Sequence, residues 1–186
     1  DFLMNLENFI IKTLSTEHYQ LLFNYYNYNK HHLEPWEPKR NKNYYSLDFH
    51  INRTNDRLNL INNKKSMHFV LLNNYKTKII GVCNYTHIEK EECWLGYSIS
   101  KDYQAKGFMF KALKYTNNFM FNNFIINTIN AGIMKTNIRS IKLINRLSFK
   151  KTANYDELEI NGNIKKLYIH QLNKQNAIKD TNIKKL

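Results

Sequence analysis

The stretch Cys93-Trp-Leu-Gly-Tyr-Ser-Ile-Ser-Lys-Asp-Tyr-Gln-Ala-Lys-Gly-Phe-Met109 reads as a strand, a short basic turn and a glycine that opens a helix. Trp94, Tyr97 and Ile99 have the aromatic and β-branched character of a strand, whereas Phe108, Ala112, Tyr115 and Phe119 fall at helical spacing on one face. The turn from Ser100 to Lys106 therefore feeds a helix N-terminus. The first amides there have no acceptor inside the helix and the dipole is positive, so main chain alone can hold an anion such as a pyrophosphate. Gly107 lets the ligand come close.

Outward from this stretch the pattern alternates. Met67 to Leu72 and Thr77 to His87 read as strands around a polar turn, and with the Cys93 strand they give three successive antiparallel strands. Upstream, Phe9 to Leu14 is a first strand, Tyr19 to Tyr26 an amphipathic helix, and Tyr45 to Lys64, with Leu47, Ile51, Leu58 and Ile61 among many polar residues, a less regular helix. Between the helices, His31 to Arg40 contains Pro35 and Pro38 and reads as a structured loop. Downstream come a helix from Gly107 to about Asn122, a buried strand over Phe124 to Ile133, and a short helix over Asn137 to Leu147. Lys150 to Ile160 and Leu167 to Leu172 follow as two strands joined by Asn161-Gly162-Asn163, a favoured hairpin turn.

The 186 residues suit one domain, expected to have its core over about 6–172 and a flexible basic tail over 173–186. A hydrophobic fraction of 42% fits a globular chain. The net charge of +13 reads either as solubility or as attraction to an acidic partner. Lysine and arginine are spread from Lys12 to Lys185, so sequence-specific reading of nucleic acid is not expected. The richness in Asn, Lys and Ile is consistent with codon drift. Cys83 and Cys93 read as free buried thiols, and the adjacent His31 and His32 as solvent-facing; no metal is expected. The chain lacks both a run long enough to span a bilayer and a leader-like start, so a cytoplasmic protein without membrane contact is expected.

Several side chains remain with two readings each. Trp36, flanked by prolines, is either a lid on the core or the wall of an acceptor site. Asn137 is either a helix N-cap or a ligand group, and Ser140, on the inner face of its helix and pointing at the sheet, either bonds back to the helix or needs another partner. Glu157 and Glu159 alternate to one side of their strand, facing solvent or an acceptor groove.

Gln104-x-x-Gly107-x-Met109 after Leu95-Gly96-Tyr97 resembles motif A of the GNAT acetyltransferases, with Met109 where a small residue is usual. The stretches Asn29 to Arg40, Tyr103 to Leu113 and Asn137 to Ser140 resemble the GNAT branch that acetylates the N-terminal alanine of the fifth small-subunit ribosomal protein. The likeness runs from about Leu6 to Leu172. Ser148 replaces the glycine of the usual Leu-Gly-Phe ending.

The resemblance implies the GNAT fold, an α/β (α+β) domain with a mixed, mostly antiparallel twisted sheet of about six to seven strands and about four flanking helices. It implies acetyl-CoA as co-substrate, held by Tyr97, Ser98, Ile99, the turn Gln104, Ala105, Lys106, Gly107, Phe108 and Met109, and Asn137. Ser140 is then the acid for the departing thiol, Glu159 the candidate base, and Trp36 and Glu37 belong to the acceptor groove. The implied partners are a ribosomal protein N-terminus and the ribosome or a pre-ribosomal particle. Another amine (a ribosomal serine N-terminus, a polyamine, an antibiotic) would use the same cofactor residues. Ala105, Met109 and Ser148 are the support for a third reading, a ribosome-assembly factor that has lost catalysis.

Overall fold

The computed structural model describes residues 2–160 and 162–177; Asn161 of the expected hairpin turn and the tail beyond 177 lie outside the described residues. Strands β1 (Leu3–Leu6), β2 (Phe9–Thr13), β3 (Met67–Leu72), β4 (Ile79–Glu89), β5 (Glu92–Ile99), β6 (Thr128–Met134), β7 (Lys150–Ile160) and β8 (Asn163–Asn173) form one sheet in the order β1-β2-β3-β4-β5-β6-β8-β7. Every neighbouring pair is antiparallel except β5 and β6, which flank the helical crossover. The sheet thus has eight strands where six to seven were expected. The addition is β1, four half-exposed residues that pair with β2 from Leu6↔Phe9 outward and carry too short a pattern to read alone.

The helices are α1 (Tyr19–Tyr28), α2 (Lys30–Leu33), α3 (Leu47–Asn62), α4 (Phe108–Asn123) and α5 (Ile138–Arg146), with a further helical turn at 174–177. They cover both faces, which is why β3 is buried at all six positions and reads as a continuous apolar run. Phe69 and Leu71 join Phe9, Ile11, Leu113 and Phe149 in one core, and Val70 and Leu72 join Ile10, Leu22 and Tyr25 in the other. Ala177 packs against the first core, so the tail docks for at least one turn.

Two expectations are corrected here. The proline-containing segment is helical up to Trp36: α2 leads into a 3₁₀ turn at Glu34–Trp36 with Pro35 in its first turn, where the missing N–H leaves no bond unmade. Helix α3 is regular, and its fully buried positions are His50 and Thr54. That face is lined by polar side chains with aromatic partners. His50 stacks on Tyr26 at 5.3 Å, and Arg53 donates to the Tyr44 hydroxyl at 2.9 Å.

Burial, then Arg53, pushes the His50 imidazole down to about 4; burial, then Arg57, pushes His68 on β3 down to about 3. Both Nε2 atoms lack a hydrogen-bond partner among the described residues. Because the unfolded chain takes up these protons near pH 6.5 and the folded chain does not, stability is expected to fall as pH drops from about 6.5 toward 4. Urea unfolding at pH 7.5 and 5.0 checks this, and His68→Gln should flatten the dependence.

Candidate active site

Strands β5 and β6 pair over only three residues, Glu92↔Thr128 to Trp94↔Asn130, although β5 runs on to Ile99 and β6 to Met134. Beyond Trp94 they splay, so the β6-facing edge of Leu95 to Ile99 has no strand partner while its other edge stays bonded to β4 as far as Gly81↔Ile99. A slot results whose main-chain donors and acceptors have no partner in a neighbouring strand. Gly96 stands at it with no heavy atom within 4 Å of where a Cβ would lie.

The slot leads to the turn before α4. A 3₁₀ turn at Lys101–Tyr103 is followed by Gln104, by Ala105 in the left-handed region (φ 59°) and by Gly107 (φ 76°), the N-cap of α4. No side chain caps this helix and its first turn holds no acidic residue, so its amides and positive dipole end are uncompensated. A Cβ at Gly107 would meet nothing within 4 Å, and Ala105, Lys106 and Gly107 are exposed, which leaves the concave side of the turn accessible. These features fit a pyrophosphate.

Of the residues expected at this turn, Phe108 and Met109 offer main chain only. Phe108 packs on Phe9 at 5.1 Å, and Met109 is 5% exposed in the core, 3.7 Å from the Cys83 sulfur. Space for Met109 comes from Gly81, where a Cβ would approach its Cε at 3.2 Å. The departure from a small residue is therefore accommodated on the far side of the helix from the ligand face.

Neighbouring elements pin the turn. Asn29, 1% exposed at the end of α1, accepts from the Ser100 hydroxyl at 3.0 Å and the Lys101 amide at 3.1 Å, and donates to the Tyr25 carbonyl at 2.9 Å. The Gln104 amide oxygen accepts from Arg139 on α5 at 2.6 Å, and its NH₂ lies 3.1 Å from His32 Nε2. His32 is thus not solvent-facing as expected, though His31 is. The same His32 nitrogen is 3.2 Å from the Ile99 carbonyl; one nitrogen cannot accept from Gln104 and donate to Ile99 at once, so the tautomer selects which contact is a bond. Sequence reading passed over Asn29, His32 and Arg139, because their partners lie 35 or more residues away.

Side chains of β5 reach both layers. The Ser98 hydroxyl meets the Tyr25 hydroxyl at 2.9 Å on the α1 side, and the Tyr97 hydroxyl meets Ser140 Oγ at 2.5 Å on the α5 side. Ser140 thus has a partner across the sheet, while its amide donates to Asn137 Oδ1 at 3.1 Å: Asn137 caps α5. Burial raises the Tyr97 phenol well above its ordinary value, so it stays protonated and able to donate.

The acceptor-side residues are less concentrated. A cavity of about 210 Å³ is lined by Tyr26, Glu34, Glu37, Arg40, Tyr44 and Tyr45 among others. Glu37 lines it and pairs with Arg40 at 3.2 Å, and that guanidinium lies over the Tyr44 ring at 4.5 Å. Trp36, 39% exposed, is not among its lining residues. Glu159 is exposed opposite Ile164, three residues past Leu167, the last β8 residue paired with β6. It sits on a hairpin overhang about 10 Å beyond the end of β6, while Leu158 and Ile160 turn inward.

The chain belongs to the GNAT acetyltransferase family, whose acetyltransferase (GNAT) domain matches residues 8–150; a mixed sheet whose one parallel pair among the described residues splays beside an uncapped, glycine-led helix N-terminus fits that fold. Among its relatives is the [ribosomal protein uS5]-alanine N-acetyltransferase of Escherichia coli, 36% identical over 138 residues, which are 70% of this chain and 69% of that protein. The ribosomal-protein-S5-alanine acetyltransferase of Vibrio fischeri superposes with a TM-score of 0.88 at 27% identity, covering 93% of this chain and 97% of that one. Mycobacterium smegmatis RimJ, solved with a CoA-disulfide, shares the fold at a TM-score of 0.85 and 16% identity, over 94% of this chain and 88% of that one.

Proposed function

We propose that this protein transfers the acetyl group of acetyl-CoA to the N-terminal alanine amine of the fifth small-subunit ribosomal protein, by direct attack in a ternary complex. The observation that carries the reading is the 36% identity to the E. coli enzyme of that specificity. A ribosomal acceptor places the reaction in the cytoplasm.

In this reading the amides at Gln104 to Met109, with Lys106 and Arg139, hold the pyrophosphate, and the unpaired edge of Tyr97, Ser98 and Ile99 holds the pantetheine arm. Asn137 fixes the start of α5 and so the place of Ser140. The bound co-substrate supplies an activated thioester. Tyr97 donates to Ser140 Oγ, which leaves the serine proton free for the departing thiolate; the proton that the attacking amine gives up is returned to Ser140 through solvent. The two hydroxyls act as a pair in which Tyr97, held protonated by burial, orients the serine.

Deprotonation of the acceptor needs less help. An α-amino group titrates at about 7.7–8.0, so a sizeable fraction is neutral near pH 7.5. Glu159, exposed on the overhang, is assigned to drawing in the ammonium, and Glu37 and Trp36 to bounding the path of the peptide.

Steady-state kinetics on acceptors differing only at the amine test the assignment. A peptide beginning with alanine should exceed one beginning with serine by about 10–100-fold in kcat/KM, the range a small apolar pocket gives against an added hydroxyl, and should exceed spermidine by more. Preference for serine or spermidine would overturn it.

A further inference from the structure

The positive charge is not diffuse. Nine of the net thirteen positive charges arise in residues 103–155, which hold nine lysines and arginines and no Asp or Glu; all 15 carboxylates of the chain lie outside that stretch. Drift toward lysine raises the cations but does not remove carboxylates, so composition bias leaves their absence unexplained.

The fold gathers this stretch on one side. Residues 103–155 supply α4, β6, α5 and the start of β7, and both helices pack on the same core. Arg146 of α5 lies over the Phe110 ring of α4 at 4.4 Å, which sets the helices side by side. Lys106 and Arg139 belong to the cofactor turn. Lys111 and Lys114 remain on α4, Lys142 and Arg146 on α5, and Lys150 just beyond; all but the half-buried Lys114 are exposed. Spacings of three and four residues put each pair on one helix face about 5–6 Å apart, and packed helices stand about 8–10 Å apart. The four ion pairs among the described residues all fall between Lys12 and Arg40, so none of them takes up a lysine or arginine of this face.

We infer that the α4–α5 face is a docking surface for the phosphate backbone of folded RNA, separate from the acetyl-transfer site and independent of the acceptor's identity. Lysines two helices wide neutralise phosphates without reading bases, and nothing on this face has the stacked aromatics of a single-strand reader. An anionic membrane suits it less well. Tyr115 and Ile138, its exposed apolar residues, sit apart on different helices, whereas an interfacial helix needs a continuous apolar strip.

The test is fluorescence anisotropy of a labelled 20-base-pair RNA duplex, titrated with the full chain between 50 and 200 mM salt. Four phosphate contacts predict a fall in affinity of about 100-fold over that range. The variant Lys111→Glu, Lys114→Glu, Lys142→Glu, Lys150→Glu should lose binding and its salt dependence, keeping peptide acetylation within about twofold of wild type, which also shows that it folds. A milder set with glutamine at the same positions should weaken binding by at least tenfold. A control set, Lys64→Glu, Lys65→Glu, Lys76→Glu, Lys78→Glu, should retain most of the affinity. Equal loss in the control set, unchanged binding in the α4–α5 set, or capture of phosphatidylserine vesicles without RNA binding would overturn the proposal.

Discussion

Gly107→Glu is expected to abolish acetyl-CoA binding, weakening it by more than about 100-fold, as read by isothermal titration calorimetry. Two effects add. Gly107 holds φ 76°, where a residue with a Cβ carries a cost of about 1–2 kcal/mol. A carboxylate at the N-cap also satisfies the amides and dipole that this helix otherwise presents uncapped, and repels the phosphates. Gly107→Ala separates the two: the surroundings leave room for its methyl group, so it feels strain alone and should lose less than about tenfold. An equal loss in both variants would locate the defect in turn conformation rather than in competition for the anion site.

Ser140→Ala should lower kcat by about 10²–10³-fold, within the usual range for a positioned acid, while acetyl-CoA affinity stays within about twofold. Tyr97→Phe should lower kcat by a smaller factor, on the order of 10–100, because Ser140 keeps its hydroxyl but loses its donor. The double variant should be no slower than Ser140→Ala, since Tyr97 acts only through the Ser140 hydroxyl and contributes nothing once it is gone. Multiplicative losses would show two independent roles, and unchanged turnover in Ser140→Ala at every pH would remove the acid from that residue.

Much of the fold was legible because it rests on local pattern. The apolar run of β3, the helical spacing after Gly107, and the Asn137 cap each lie within one element or one turn. β1 was not, being four residues that become a strand only by pairing with β2. The inner face of α3 was not legible for a different reason. Its fully buried positions are His50, which packs on the Tyr26 and Tyr44 rings, and Thr54, polar residues that apolar spacing does not pick out.

At the site, sequence located the strand, turn and glycine-led helix start but not what holds them. Gln104 was visible as a motif residue, whereas its links to His32 and Arg139 depend on three elements meeting. Ser140 was visible as an inward hydroxyl, and Tyr97 as a strand residue; that each is the other's partner, 43 positions apart, is a property of the sheet. Met109 looked like a defect in the motif and is a core residue matched to Gly81.

The central claim is tested most directly by incubating the purified protein with acetyl-CoA and the unacetylated fifth small-subunit ribosomal protein, then mapping any added mass by intact and fragment mass spectrometry. The account predicts a single acetyl group, on the N-terminal alanine amine. Acetylation confined to lysine side chains, or none from a preparation that binds acetyl-CoA, would contradict it.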